Sequence, residues 1–258
     1  MSTSLFDGII FGPIKSRRLG ISVGINLLPE GNKLCNFNCI YCECGWNKIN
    51  NKNSRFHTRL EVKDALNKKL AEIKKESIIP NAITFSGNGE PTMHPDFAGI
   101  IADTIELRNH YFPDAKVSVL SNGTLAHKES VFNALGKADQ AILKLDSAID
   151  STVKLIDNPQ FEYDITQVID AYKAFNGNMI LQTMFLRGYC NGKKLDNTTE
   201  NEIGLWIDVV QQIKPKEIMI YTIDRDTPAE GLEKIPLYEL EQIANRVRLL
   251  GYKVQVSG

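Results

Sequence analysis

Strand-like and helix-like segments alternate along almost all of this 258-residue chain, and that alternation restricts it to a small set of folds. Apolar, β-branched runs read as strands at 20–28, 82–85, 116–120, 140–145, 178–186 and 217–222, with a last short one at 253–256. Between them, helical spacing predicts helices over 58–75, 95–110, 129–135, 151–156, 164–175, 200–213 and 236–250. In 58–75 the apolar stripe is Leu66, Leu70 and Ile73; in 236–250 it is Leu237, Leu240, Ile243, Ala244, Val247 and Leu250. Pro95 suits a first helical turn, and Ser121-Asn122-Gly123 is a turn signal. Six βα units in succession need parallel strands covered by helices. Right-handed crossovers would curl such an α/β sheet into a full or partial barrel, although an open doubly wound sheet has the same alternation. Hydrophobic content of 43% is enough for a sizeable core. The chain reads as one domain, 1–258, with a lead-in at about 1–19, a core at about 20–225 and a C-terminal helix and strand at about 226–258.

Nothing in residues 1–12 reads as a signal peptide, and no segment approaches the ~20 apolar residues that span a bilayer. A cytoplasmic protein with no membrane partner is expected. Net charge is −1, which gives no global sign of nucleic-acid binding and leaves a nucleic-acid partner open. The charge is uneven, however. Lys15, Arg17, Arg18, Lys33, Lys48, Lys52, Arg55 and Arg59 face only Glu30 and Glu43 in the same stretch. That is a solvated face or a site for an anionic substrate, with the forks of Arg17 and Arg18 suited to phosphate or carboxylate.

Four of the five cysteines fall between Cys35 and Cys44, and the fifth is Cys190. An odd number clustered in one loop argues for a metal site over a disulfide framework. Cys35, Cys39 and Cys42 are spaced C-x3-C-x2-C, so three thiolates can wrap three corners of a cubane. Full ligation of a [4Fe–4S] cluster takes four cysteines, and three leave one iron open to another ligand. A zinc site would need a fourth ligand, from Cys44 or His57, and the step from Cys42 to Cys44 is tight for a tetrahedral pair. Cys44 reads as a bystander or substrate-side residue, and Cys190 as inert.

Polar residues also gather at predicted strand ends. Asn122 ends the third strand and Asp146 the fourth; Gln182 lies within the fifth, which Arg187 ends; Tyr221 and Asp224 end the sixth. In a parallel barrel these ends share the face where active sites are built. Lys144 and Asp146, two apart on a strand, point the same way.

The cysteine spacing, with Tyr41 just before the third cysteine, resembles the signature of the radical S-adenosylmethionine (SAM) superfamily. Gly87-Asn88-Gly89-Glu90-Pro91-Thr92 is similar to that family's GGE segment, with Asn88 inserted between the glycines. The resemblance implies a partial (β/α)6 TIM-like barrel with a [4Fe–4S] cluster on Cys35, Cys39 and Cys42. It implies that the open iron takes the amino and carboxylate groups of SAM, and that reductive cleavage yields a 5′-deoxyadenosyl radical. Glycines at 87 and 89 would let the backbone approach the SAM ammonium, and Glu90 would accept from it. Ser121, Asn122, Lys144 and Asp146 become candidates for the ribose and carboxylate, joined by Tyr41, Gln182 and Tyr221. An external low-potential donor of flavodoxin or ferredoxin type is implied as well. The expected function is thus a radical SAM enzyme of oxidoreductase or transferase type acting on an unidentified substrate.

The stretches 11–20 (FGPIKSRRLG) and 221–230 (YTIDRDTPAE) resemble a branch termed wyosine-type Fe–S oxidoreductases, which implies a tRNA-base-modifying alternative. An aromatic content of 8% shows no obvious base-stacking platform for it. A second alternative is an iron–sulfur electron carrier or redox sensor. That would need four protein ligands and no SAM, so the glycine–glutamate segment argues against it.

Overall fold

The computed structural model describes residues 5–47 and 55–258, so Lys48 and Lys52 of the basic stretch lie outside the described residues. The chain forms two compact units. One comprises Leu5–Cys35 and Asn47–Ala141, the other Asn36–Trp46 and Ile142–Gly258.

In the first unit, β1 (Ile10–Ser16) pairs antiparallel with β2 (Gly20–Ile25), while β2, β3 (Ala82–Phe85) and β4 (Lys116–Ser121) run parallel. The register sets Ile25 beside Phe85 and Phe85 beside Val119, all fully buried. Helix α1 (Arg59–Lys75) starts where expected: the Thr58 side chain accepts from the Glu61 N–H and the Glu61 side chain returns to the Thr58 N–H. It buries Val62, Leu66, Leu70 and Ile73, the face predicted from spacing. A fork from Arg59 to Asp103 (2.6 and 2.9 Å) ties it to α2 (Phe97–Tyr111). Helix α2 starts two residues later than predicted, because Asp96 rather than Pro95 precedes its first turn. Helix α3 (Glu129–Lys137) completes the unit.

Strand β1 lies within the lead-in at about 1–19, where no strand is predicted from the sequence. Gly12 and Pro13 break the alternation expected of a strand, and the pairing is irregular between Phe11 and Ile14 for the same reason. The strand persists because the Phe11 ring lies over Gly24, in the space a side chain there would fill, and stacks on Phe6 at 3.8 Å.

In the second unit the main strands are β5 (Gln140–Lys144, of which Ile142–Lys144 belong here), β6 (Ile180–Met184), β9 (Glu217–Tyr221) and β11 (Val254–Ser257). They pair in parallel, Ile142 with Ile180, Ile180 with Glu217 and Val254 with Ile218. The helices are α4 (Asp150–Ile156), α5 (Ile165–Lys173), α6 (Glu200–Ile213) and α7 (Leu237–Arg248). Trp206 on α6 is 1% exposed, donates to Thr183 Oγ1 at 3.0 Å and meets Phe185 edge-on.

The span 178–186 is not one strand. Phe185 leaves β6 to donate its N–H to the Tyr221 carbonyl, and β7 (Leu186–Cys190) begins at once. With β8 (Lys193–Asp196) and β10 (Leu232–Lys234), β7 forms a separate antiparallel sheet in the order β10-β7-β8. Asn191 and Gly192 turn the hairpin with φ of 51° and 75°, the left-handed pair of a tight hairpin turn. Arg187 therefore lies on β7 and does not end a parallel strand, a correction to the sequence reading.

Candidate active site

In the first unit the glycine segment and the end of β4 meet at one carboxylate. Glu90 is 2% exposed. Its Oε1 accepts from the Thr92 N–H (3.0 Å), Thr92 Oγ1 (2.5 Å) and Ser121 Oγ (2.7 Å), and its Oε2 from the Asn122 N–H (2.7 Å). Burial pushes the Glu90 pKa up, against these hydrogen bonds, which favour the charged form. A carboxylate offers about four acceptor positions, so the room left for a further donor is on Oε2. Thr92, two residues beyond Glu90, and Thr124, two beyond Asn122, were missed by the sequence reading. Their signal was the local Glu-x-Thr and Asn-x-Thr spacing.

The glycines around Asn88 have a reason other than ligand approach. A Cβ on Gly89 would overlap the Leu34 carbonyl, and one on Gly87 would come 2.6 Å from Asn26 Oδ1. Leu34 donates its N–H to the Asn88 carbonyl at 2.8 Å and accepts from the Glu90 N–H at 3.2 Å, locking the residue before Cys35 onto this segment. The Asn88 side chain is fully buried and bonds to the backbone of Phe6 (both N–H and carbonyl) and to the Pro29 carbonyl. It clamps the N-terminal segment. Cys35 lies 3.8 Å from Asn122 Nδ2.

Arg17 and Arg18 stand apart from this group. They occupy the β1–β2 turn at the start of β2, whereas Glu90 and Asn122 follow the far ends of the parallel strands β3 and β4. Six residues at about 3.3 Å each put roughly 20 Å of strand between the two ends. The turn that carries these arginines is thus remote from Glu90 along β2.

The second unit holds Cys39, Tyr41 and Cys42. The loop is docked by its backbone: Asn38 donates to the carbonyls of Asp157 and Asn158 (both 3.0 Å), Ile40 to Ile156 (3.0 Å), and Ala229 to Ile40 (3.1 Å). Phe37 pairs with Pro159 and packs against Tyr163, ring centroids 5.7 Å apart. Arg225, in the 221–230 stretch, reaches Glu43 of this loop at 2.6 Å.

Beside the loop, Lys144 and Asp146 share one face of the β5 end as predicted, with Nζ 3.2 Å from Asp146 Oδ2. The Tyr41 hydroxyl bridges them, donating to Asp146 Oδ2 and accepting from Lys144 Nζ. Asp146 Oδ1 accepts from the Met184 N–H at 2.8 Å. Asp157 completes the cluster, 3.2 Å from Cys39 Sγ and 3.9 Å from Lys144 Nζ. Burial opposes the charge on Lys144, but its neighbours, Asp146 foremost, outweigh it and hold its pKa well above the usual lysine value. Burial, reinforced by Asp146, pushes Tyr41 and Asp157 well up. Asp157 carried no sequence signal, being one acidic residue after a short helix.

Gln182 pairs with Lys144 across β5 and β6; it is buried, and its Nε2 has no hydrogen-bond partner. A buried amide without an acceptor costs about 1–3 kcal/mol and marks a place for a ligand oxygen. Tyr221 ends β9, also buried. Cys44 is half-buried, and Cys190 is buried on β7. All five cysteines are unbridged.

Among the described residues no three His, Cys, Asp or Glu side chains are gathered into a ready-made metal site. The donor chemistry nonetheless fits an iron–sulfur cluster: three unbridged thiols within one short loop, with an amide N–H directed at one of the sulfurs. No helix among the described residues is long and apolar enough to cross a membrane.

Comparison with known proteins places this arrangement. Over 241 residues the chain is 30% identical to a protein named GTPase Obg of Brachyspira hyodysenteriae, covering 90% of this chain but only 32% of that protein. It is 28% identical to a UPF0026 protein of Helicobacter pylori strain J99, covering 84% and 67% of the two chains. Among solved structures, a radical SAM methyltransferase from Sphaerobacter thermophilus aligns with a TM-score of 0.67 at 13% identity, over 92% of this chain and 65% of the other. SuiB of Streptococcus suis bound to S-adenosylmethionine aligns at 0.62 and 16% identity, over 88% and 49%. Archaeal TYW1 aligns at 0.55 and 12%, over 88% and 71%. These likenesses show the fold, the expected partial-barrel type of α/β architecture. Residues 32–192, more than half of the chain and including all three cysteines of the triplet, match the radical SAM superfamily; the chain belongs to that family of enzymes, which cleave S-adenosylmethionine by a radical mechanism with a [4Fe–4S] cluster.

Proposed function

We propose that Cys35, Cys39 and Cys42 hold the family's cluster and that the chain binds SAM for a reaction on a substrate still to be identified. The observation that carries this reading is the unbridged C-x3-C-x2-C triplet inside the matched span. The cluster that Cys35, Cys39 and Cys42 would hold would supply one-electron reduction of SAM to methionine and a 5′-deoxyadenosyl radical, the electron coming from an external flavodoxin- or ferredoxin-type donor.

The protein's own groups divide the work of binding. Glu90 Oε2 retains acceptor room for the SAM ammonium, with Ser121 and Asn122 setting the carboxylate's orientation. Gly87, Asn88 and Gly89 contribute through the backbone that carries Glu90. Lys144 supplies a buried positive charge suited to the SAM carboxylate, and Asp146 and Tyr41 hold that ammonium in place. Gln182 Nε2 offers a donor to a ligand oxygen, and Tyr221 lies at the neighbouring strand end. Five unbridged cysteines accord with a reducing, cytoplasmic setting. An oxidoreductase or transferase outcome follows from which substrate receives the radical.

Anaerobic iron–sulfide reconstitution followed by dithionite and SAM tests the reading. A brown cluster spectrum with 5′-deoxyadenosine as product is expected. A stable cluster that yields no 5′-deoxyadenosine would point instead to an electron carrier.

A further inference from the structure

Asn122 is held at three points. Its backbone N–H donates to Glu90 Oε2 at 2.7 Å. Its side-chain oxygen accepts from the Thr124 N–H at 3.1 Å and from Thr124 Oγ1 at 2.8 Å. With Oδ1 engaged by two donors, the amide cannot flip without placing donor against donor, so its orientation is set by the network. The end directed at Cys35 is therefore Nδ2, which can only donate, and it lies 3.8 Å from Cys35 Sγ. Contacts of N–H to sulfur are longer than those to oxygen because sulfur is larger. Asn122 is 7% exposed, so bulk water competes little for this contact.

A hydrogen bond to a ligand sulfur withdraws charge from it and favours the more negative, reduced state of an iron–sulfur cluster. We infer that Asn122 serves chiefly as a hydrogen-bond donor to the Cys35 sulfur, raising the cluster's reduction potential, and not as a SAM ligand. Glu90 and Thr124 act as positioning residues that aim it. The inference rests on Cys35 being a cluster ligand, as proposed above.

The test is a redox titration of the reconstituted protein without SAM, followed by low-temperature electron paramagnetic resonance of the reduced cluster. Loss of one charge-assisted hydrogen bond should change the reduction equilibrium about tenfold, equivalent to about 59 mV for a one-electron couple. Asn122→Ala should shift the potential more negative by that amount at full iron content. Asn122→Asp keeps an acceptor for Thr124 but turns an oxygen toward the sulfur, and should shift it at least as far. An Asn122→Ala protein with full cluster and the parent's potential overturns the inference, above all if its SAM affinity falls. If Asn122→Ala does not load, Asn122→Asp decides by the same criterion. Two folded variants that both fail to assemble a cluster also count against it, since a potential-tuning contact is not required for assembly. Retention of the cluster in Cys35→Ala would instead overturn the ligand assignment itself.

Discussion

Replacing Glu90 with Ala removes an acceptor that serves four donors at once, and this makes it the most informative single change in the first unit. Two of those donors are hydroxyls, on Thr92 and Ser121, which can rotate toward other partners. The other two are the backbone N–H groups of Thr92 and Asn122, which are fixed by the chain and buried with it. Each buried N–H left without a partner costs about 1–3 kcal/mol, so Glu90→Ala should destabilise the apo-protein by about 2–6 kcal/mol. That is a large part of the roughly 5–15 kcal/mol typical of a domain. Glu90→Gln keeps the shape and one oxygen, and should cost less, although its NH2 faces a donor if the oxygen stays with Thr92. The assay is urea denaturation of cluster-free protein followed by circular dichroism, with SAM affinity measured separately on reconstituted protein. A Glu90→Ala protein within ~0.5 kcal/mol of the parent would refute the bridging role derived from these distances. If stability falls but SAM affinity is unchanged, Glu90 joins strand ends and does not bind the cofactor.

Three further outcomes are expected. Cys35→Ala, Cys39→Ala and Cys42→Ala should each lose or destabilise the brown cluster absorbance, whereas Cys44→Ala and Cys190→Ala should retain it; the reverse pattern would reassign the ligands. The Arg59 fork holds the Asp103 carboxyl below its ordinary pKa, so its contribution is fully present above the unfolded-state value and lost as pH falls through the folded one. Asp103→Asn should accordingly flatten the acid limb of a stability-against-pH curve, and an unchanged limb would show the pair contributes nothing. Arg17→Ala and Arg18→Ala should leave SAM cleavage and SAM affinity unchanged, because their turn lies at the far end of β2 from Glu90; loss of either with the fold intact would contradict that placement.

The parallel strands and the helices between them were legible in the sequence because each buries a face whose period appears in its own residues. Helix α1 is an example, with its Thr58–Glu61 cap and its Leu66, Leu70 and Ile73 stripe all within one short window. The cysteine triplet was legible for a related reason: three ligands of one cluster must lie close together, and a short loop meets that need through chain spacing alone. Asp146 and Lys144 followed from the two-residue period of a strand.

What only the tertiary structure decided concerns partners remote in sequence. Asn88 looked like part of a ligand-binding turn, but its side chain is spent on Phe6 and Pro29, 82 and 59 residues away. Asp157 reaches Cys39 across 118 residues, and nothing in its neighbours announces this. Strand β1 exists because Phe11 fills the space above Gly24, and the strand read at 178–186 breaks because Phe185 turns to the Tyr221 carbonyl. The placement of Arg17 and Arg18 followed from strand direction, which local composition does not carry. Periodicity records which side of a segment is buried; it holds no record of what that side is buried against, and the hydrogen bonds that aim Glu90 and Asn122 belong to that second kind of information.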